Sequence, residues 1–417
     1  MTKRVALVAL VALMMTVSLP GLSRFDGGVR AQVPMFFGAT RFPAIGTDKD
    51  GFLYLLMSVA TAPAEEHRPH SQIFFSMSRD SGATWDNLPE TRNLTKSPGE
   101  AFGPSVAITQ QGTKRVYVTY HDNSTGTTQI YLIRSKKKAK FRKPQNITPH
   151  NGGAFSPRVA LDSNENVFVV WGDLLTDKKV LFERSTDLGA TFEPPVDVSR
   201  SSGQAFEPEI ATAPDNSINV AWEDTGPGTS SIMFSRSTDG GVSFSDPLKV
   251  SKGDGAATEA HIAVDGSGRI NVVWLDQSPG NQQAFYAHSS DNGRSFSEPI
   301  NLTNDANAQI EKPYVAVFED KVYVAYQDER EGNKQVFLVN SVNAGESFSR
   351  AAQVSHANNA CGRAHSASMV VDRQGTLHIV WIDASRVSGC TDEGLLFYSR
   401  TTNGRNFSPE LMILAAI

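Results

Sequence analysis

One hairpin sequence returns along the chain at a nearly constant interval, and this repetition limits the possible folds more than any other feature. Its words are SRDSGATW, STDLGATF, STDGGVSF, SSDNGRSF and SVNAGESF, which end at Trp85, Phe192, Phe244, Phe296 and Phe348. Two degraded copies, SKKKAKF and RTTNGRNF, place aromatics at Phe141 and Phe407. Successive aromatics are separated by 56, 51, 52, 52, 52 and 59 residues. Such a period indicates a repeat architecture rather than two or three unrelated domains.

Two further words repeat at the same period. One is SPRVALD, EPEIATA, EAHIAVD and KPYVAVF; the other ends in aromatic-x-Asp, as in VYVTYHD, VFVVWGD and INVAWED. Each unit is predicted to contain four short strands, A to D. Their residues alternate between apolar and polar and are rich in β-branched types, and turn residues such as Gly, Asn and Pro separate them. Four strands per unit and seven complete sets of words predict an all-β, seven-bladed β-propeller of four-stranded antiparallel blades.

The repeated hairpin is the predicted turn between strands C and D. Its Asp can accept backbone N–H groups within its own turn, and its Gly can adopt a left-handed conformation. The pattern S-x-D-x-G-x-[ST]-[FW] resembles the Asp-box, or bacterial neuraminidase repeat, of the sialidase-like β-propellers, and the resemblance covers roughly residues 41–415. We expect these aspartates, such as Asp239, to stabilise the fold and not to take part in chemistry.

The N-terminus predicts export. Lys3 and Arg4 precede an apolar run, and small residues follow before position 31, so residues 1–31 are interpreted as a secretory signal peptide and 32–417 as one propeller domain. An uncleaved membrane anchor is the alternative. We expect a monomer that is secreted or periplasmic, with no membrane span after signal cleavage. The net charge of −5 argues against a nucleic-acid partner.

Alignment of the A strands suggests a ligand site. The C–D turns lie on one face, so the D–A and B–C loops surround the channel mouth on the other, where propellers usually bind ligands. Two strand-A positions vary in an otherwise strict repeat, and alternation is expected to aim both into the channel. The candidate ligand-binding residues among them are Arg158, Glu207, Glu209, Glu259, His261, Lys312 and Tyr314. A wet channel without a ligand is the alternative.

The aromatic-x-Asp residues recur in six units, from Asp122 to Asp383. We expect them to cap the B–C turns, and we rank a ring of carboxylates around a hard cation lower. No cofactor or metal is expected. Cys361 and Cys390 are the only cysteines, and both lie in loops predicted on one face of the seventh unit, so export permits a disulfide between them. Arg363 and His365 would lie near it as further ligand-binding candidates.

The family resemblance implies specific catalytic groups. Sialidases use a Tyr nucleophile assisted by Glu, with arginines that grip the sugar carboxylate. The resemblance implies as tentative catalytic residues Tyr314, Glu209 or Glu259, and Arg41 of the Arg-Phe-Pro sequence. Arg158 and Arg363 would be the other two arginines that bind the sugar carboxylate. Two functions therefore stay open: binding of a glycan, another ligand or a protein partner at the channel mouth without turnover, and hydrolysis by an exo-α-sialidase.

Overall fold

The computed structural model describes residues 40–61, 70–86, 92–136, 139–149, 153–173, 178–226, 228–329, 332–357, 363–384 and 394–413, with the side chains of residues 40, 41 and 61 excepted. The predicted signal peptide and both cysteines, Cys361 and Cys390, lie outside the described residues. Among the described residues no helix is long and apolar enough to cross a membrane.

Seven four-stranded antiparallel sheets, here called blades 1 to 7, make up the described fold, and each uses strands in chain order. The first three blades contain β1 Thr40–Thr47, β2 Leu53–Thr61, β3 His70–Ser78, β4 Arg92–Asn93; β5 Ala101–Ile108, β6 Val116–Asp122, β7 Gln129–Arg134, β8 Gln145–Asn146; β9 Ala154–Leu161, β10 Val167–Asp173, β11 Lys179–Ser185 and β12 Val196–Asp197. Blades 4 and 5 contain β13 Ala205–Thr212, β14 Ile218–Asp224, β15 Ser231–Ser237, β16 Leu248–Lys249; β17 Ala257–Val264, β18 Ile270–Asp276, β19 Gln283–Ser289 and β20 Ile300–Asn301. Blades 6 and 7 contain β21 Ile310–Phe318, β22 Lys321–Asp328, β23 Gln335–Ser341, β24 Ala352–Gln353; β25 Ala364–Val371, β26 Leu377–Asp383, β27 Leu395–Thr401 and β28 Leu411–Ile413.

The first strands of neighbouring blades contact one another around the ring, and β1 contacts β25. At this junction the Ile45 N–H donates to Ser368 Oγ at 3.4 Å, and the Tyr398 hydroxyl donates to the Ser81 carbonyl at 3.1 Å. Blade 7 therefore closes directly on blade 1, and the prediction of a seven-bladed β-propeller is confirmed.

Apolar side chains fill the space between neighbouring blades. The aromatic-x-Asp tryptophans Trp171, Trp222, Trp274 and Trp381 are fully buried. Trp222 belongs to one cluster with Phe168 and Phe182 of the preceding blade, as expected for packing between blades. The following Asp caps the B–C turn as predicted: Asp224 Oδ1 accepts the Gly226 N–H at 2.8 Å, and Oδ2 accepts the Trp222 indole N–H at 3.2 Å.

The repeated C–D turns have the expected hydrogen bonds. In blade 4, Asp239 accepts the Ser243 N–H at 3.0 Å and the Ser243 hydroxyl at 2.6 Å, while the Gly241 N–H donates to Ser237 Oγ at 2.8 Å. The degraded turn of blade 7 keeps this plan, because Asn403 Oδ1 accepts the N–H groups of residues 405 and 406.

The aromatic at the end of each turn packs across the boundary between two blades. Phe244 meets Phe182 of the preceding blade edge-on at 5.0 Å, and Phe296 meets Phe234 at 5.1 Å. Trp85 of blade 1 meets Tyr398 of blade 7 at 5.4 Å. Each turn therefore fastens its blade to the one before it, which sequence spacing within one repeat could not reveal.

Candidate functional site

The seven first strands surround a central cavity of about 840 Å³. Every one of these strands carries a register shift near its start. At each shift one residue adopts a positive φ between 43° and 58°: Phe42, Gly103, Ser156, Glu207, Glu259, Lys312 and Ser366. We call these seven residues the bulge ring. A bulge of this kind bends the strand and redirects a side chain, at a cost of about 1–3 kcal/mol for a non-glycine residue.

The bulge ring explains why both variable strand-A positions line the cavity. Simple alternation of side chains along a strand predicted this orientation, but the register shift interrupts the alternation at this point. The lining includes the predicted Arg158, Glu207, Glu209, Glu259, His261, Lys312 and Tyr314. Five bulge residues precede a proline, which suits a position without a ladder hydrogen bond because proline has no N–H donor.

Four of the predicted residues form one side-chain cluster across blades 3 to 6. Arg158 Nε donates to Glu209 Oε1 at 2.6 Å, and His261 Nε2 lies 3.8 Å from Glu209 Oε2. The His261 and Tyr314 rings lie against each other with centroids 3.7 Å apart. We call Arg158, Glu209, His261 and Tyr314 the channel cluster. Successive members of the cluster are about fifty residues apart in the chain, one from each of four consecutive blades.

Burial controls the protonation of the channel cluster. Burial raises the pKa of the Glu209 carboxyl, and the charge of Arg158 opposes this only in part. Burial alone would lower the pKa of Arg158, but the charge and hydrogen bond of Glu209 raise it, so the guanidinium stays charged. Burial and then the charge of Arg158 lower the pKa of His261 to about 3. The 2.6 Å contact of Arg158 with Glu209 is an ion pair between a nearly buried carboxylate and a guanidinium whose side chain is 34% exposed, and it lies beside an imidazole that is neutral at pH 7.

A backbone contact fixes the tautomer of that imidazole. His261 Nδ1 accepts the Val315 N–H at 3.4 Å, so neutral His261 carries its proton on Nε2, the atom nearest Glu209. Ser105 and Ser368 occupy the equivalent position in blades 2 and 7 and accept the N–H groups of Val159 and Ile45. This strand-A position therefore joins neighbouring blades as well as lining the cavity.

Charged side chains occupy the blade 4 to 6 side of the bulge ring. Lys312 Nζ donates to Glu259 Oε1 at 2.8 Å, and the Lys312 N–H donates to Glu259 Oε2 at 2.9 Å. Glu207 is exposed and makes no hydrogen bond or ion pair with any residue that the structure describes. Burial and the nearby Glu207 raise the pKa of Glu223, whose carboxylate also accepts the Ser230 hydroxyl at 2.7 Å. Lys312 and Arg158 at the cavity are therefore each paired with a glutamate, whereas Glu207 has no paired cation in the described part of the chain.

An aromatic surface occupies the blade 1 to 3 side. Phe42 is 48% exposed, an unusual state for a phenylalanine in a strained backbone conformation. Phe102 and His121 line the cavity next to it, and the His121 ring lies 5.7 Å from that of Phe155. Burial and then the charge of Arg158 lower the pKa of His121 to about 4, so this ring is neutral at pH 7.

Sequence reasoning missed His121. It stands between the aromatic and the Asp of the second strand, a word that was interpreted as structural because it recurs. The signal was variation at that position, where blades 3 and 4 have Gly172 and Glu223. Gly103 also contributes, because a Cβ there would lie 3.2 Å from the His121 ring.

The remaining candidates lie elsewhere or beyond description. Arg41 lies in β1, where its backbone pairs with Ser58 of β2, and its side chain lies outside the described atoms. Arg363 and His365 precede the bulge of β25 and are not among the residues that line the cavity. Among the described residues Arg158 is the one arginine in the lining, so the structure brings no arginine triad together there.

Comparisons with known proteins identify the fold. No family model and no curated protein matches the chain. A protein of unknown function from Dyadobacter fermentans superimposes with a TM-score of 0.51 at 15% identity, over 83% of this chain and 91% of that chain. An ulvan lyase, a polysaccharide lyase bound to -[GlcA(1-4)Rha3S]-, gives 0.56 at 10% identity over 90% and 94%.

The intramolecular trans-sialidase from Ruminococcus gnavus is 14% identical over 87% of this chain and 94% of its own, with a TM-score of 0.46. At these identities the likenesses concern the fold alone. The sialidase-like β-propeller fold that the repeats predict is confirmed by the seven four-stranded blades and their turns, and the chemistry must follow from the site.

Proposed function

We propose that this chain is an exported glycan-binding propeller that holds an uncharged sugar unit at the mouth of its central cavity without hydrolysing it. The observation that carries the proposal is the bulge ring, which places the exposed Phe42 and the carboxylates of Glu207 and Glu259 around one cavity. Sugars have apolar C–H faces, which favour aromatic rings, and hydroxyl groups, which donate to carboxylates. The fold is also that of a lyase whose solved structure contains a saccharide.

The charges of the cavity favour an uncharged sugar over an acidic one. Arg158 is paired with Glu209 and Lys312 with Glu259, so neither cation is free to bind a ligand carboxylate. With Glu207 included, three carboxylates line the cavity against two cations, so the described acidic and basic side chains there leave one excess negative charge. An anionic sugar would have to break one of these pairs and approach a like charge.

An exo-α-sialidase is the second candidate. It is favoured by Tyr314, whose phenol accompanies Glu209 and Arg158 in one cluster and whose pKa is raised by burial. Burial of this kind makes the phenolate harder to form, and Arg158 is occupied by Glu209. Purified protein should therefore not hydrolyse a fluorogenic sialoside; turnover that Tyr314→Phe abolishes would establish the hydrolase instead.

Binding is tested by titration calorimetry with neutral and sialylated oligosaccharides of equal length, chosen from a glycan array. Phe42→Ala and Glu207→Gln should each lower the affinity for the neutral glycan by about 5- to 30-fold, the size of a typical interface anchor. Val242→Ala is the matched control, because Val242 is an exposed apolar residue, 59% accessible, on a C–D turn of the opposite face.

Two results would contradict the proposal. One is the absence of binding to any glycan on the array by folded protein. The other is equal loss of affinity in Phe42→Ala and Val242→Ala, which would show that the mouth is not the site. Export is tested separately, since cleavage after residue 31 predicts a secreted or periplasmic protein that begins at position 32.

A further inference from the structure

The C–D turn of blade 2 departs from the repeat in a way that the glycan site does not explain. Residues 134–143, RSKKKAKFRK, contain seven lysines and arginines and no acidic residue, within a chain of net charge −5. The equivalent turns of blades 1, 3, 4 and 5 carry an Asp instead. We call the exposed residues Lys136, Lys140, Arg142 and Lys143 the basic turn.

The fold holds this hairpin in place without the turn-capping Asp. The Lys136 N–H donates to the Lys140 carbonyl at 2.7 Å, and the Arg142 N–H donates to the Arg134 carbonyl at 2.9 Å. Phe141 packs edge-on against Phe75 of blade 1 at 4.9 Å, as the tip aromatics of other blades do. Hydrogen bonds and packing therefore hold the described residues on either side of the tip, and the four cations lie on this described part of the hairpin.

The four cations have no counter-charge within the described part of the chain. None of them takes part in a salt bridge or a side-chain hydrogen bond there. Some arginines near other C–D turns are paired: Arg184 Nη2 lies 2.8 Å from Glu193 Oε2, and Arg236 Nη2 lies 2.6 Å from Asp215 Oδ2. Exposed arginines without a salt bridge to any described residue also occur on other turns, such as Arg294 and Arg405, and the basic turn differs because it groups four such cations on one hairpin. Uncompensated cations on one hairpin attract polyanions.

The surroundings indicate the shape of the partner. The C–D turns of blades 1, 3 and 4 on the same face expose Asp80, Asp187 and Asp239, so a flat anionic surface would meet these carboxylates as well as the basic turn. None of the exposed large apolar side chains in the described residues belongs to this hairpin, so nothing there would insert into a bilayer. A slender anionic chain can follow the hairpin and avoid the acidic neighbours.

We propose that the basic turn binds a linear anionic polysaccharide, one that carries sulfate or carboxylate groups, on the face opposite the cavity mouth. Residues 140 to 143 span roughly 10 Å at the rise of a strand, the length of about two sugar units. The site is independent of the glycan site at the mouth, and one molecule can occupy both.

The test measures binding of the full chain to immobilised heparin, a sulfated polysaccharide, with dextran as the neutral comparison. In the test variant Lys136, Lys140, Arg142 and Lys143 are all changed to Gln. The control variant changes Lys249, Arg294, Arg350 and Arg405 to Gln, which are exposed cations of other hairpins, so the change in net charge is the same. Melting curves confirm that both variants fold.

We expect the test variant to bind heparin at least about tenfold more weakly than the wild type, and the control variant to change by less than about threefold. For the wild type, the logarithm of the association constant should fall with the logarithm of salt concentration with a slope of about −3, and the test variant should nearly lose this slope. The double variant Lys140→Gln/Arg142→Gln should lie between the two. Equal weakening in both quadruple variants, or no heparin binding at 50 mM salt, would overturn the proposal. Binding to phosphatidylglycerol vesicles without binding to heparin would also overturn it, in favour of a membrane.

Discussion

Replacement of Arg158 by methionine should expose the energetic cost of the buried carboxylate in the channel cluster. Glu209 is 7% exposed, and Arg158 supplies its hydrogen bond at 2.6 Å. Removal of one partner of a fully buried pair typically costs about 3–5 kcal/mol, because the other charge stays buried without compensation. Since the Arg158 side chain is 34% exposed to the cavity, we expect about 2–3 kcal/mol here. His261, 3.8 Å away, cannot readily replace the arginine, because its Nδ1 already accepts a backbone N–H.

The same variant should show a characteristic pH dependence. Burial already raises the pKa of Glu209, and loss of the arginine raises it further. A carboxyl whose pKa is raised in the folded state destabilises the fold when the pH is above its ordinary value of about 4.3, and the penalty disappears as the pH falls towards that value. The deficit of Arg158→Met should therefore be large at pH 7.5 and much smaller at pH 5.

Urea unfolding followed by tryptophan fluorescence at both pH values measures the free energy of unfolding. Arg158→Met/Glu209→Gln should recover most of the loss, since no orphan charge is left. Lys252→Met is the matched control: it removes an ion pair of the same 2.6 Å length whose side chains are 41% and 85% exposed, and should cost less than about 1 kcal/mol. A deficit below about 1 kcal/mol for Arg158→Met, or one that is equal at the two pH values, would refute the reasoning.

Two further predictions concern the scaffold. Asp239→Ala should lower the free energy of unfolding by about 1–2 kcal/mol, as loss of a capping side chain does. Asp246→Ala in the same hairpin is the control and should change it by less than about 0.5 kcal/mol. Loss of glycan binding in Asp239→Ala at unchanged stability would contradict a structural role for Asp239. Burial raises the pKa of Glu183 to about 8, so this carboxyl should contribute a loss of stability of about 1.4 kcal/mol per pH unit between about 4.5 and 8. The contribution is the difference between the pH profiles of the wild type and Glu183→Gln, and Glu298→Gln should show no such difference; parallel profiles for the wild type and Glu183→Gln would show that Glu183 is solvated.

The repeat made the scaffold predictable to the level of single hydrogen bonds. Seven copies of the same words specified the blade count, the turn role of Asp239 and the capping role of Asp224, because each of these depends on neighbours within one repeat. The identity of the residues that line the cavity followed from the same alignment. Positions that repeat in every unit belong to the scaffold, whereas positions that vary between units, such as His261 and Tyr314, line the cavity.

The rest depends on distances between blades, which no single repeat encodes. The pairing of Arg158 with Glu209 and the contact of Phe244 with Phe182 both cross a blade boundary. The sequence also did not predict the bulge ring, because residues such as Glu207 and Lys312 are of types that rarely adopt a positive φ. His121 was overlooked because it stands inside a word whose other letters are structural.

The direct closure of blade 7 on blade 1 has a consequence for how this chain folds. Pairing within a blade joins segments that are close in sequence, and each blade then docks on the one made just before it. The hydrogen bonds at the closure instead join residues 317 and 323 positions apart. Since the entropy lost in closing a loop grows only with the logarithm of its length, this single distant step adds little to the total cost. Assembly can therefore proceed as a succession of fast local events followed by one late event, and mutations at this junction should accelerate unfolding far more than they slow refolding.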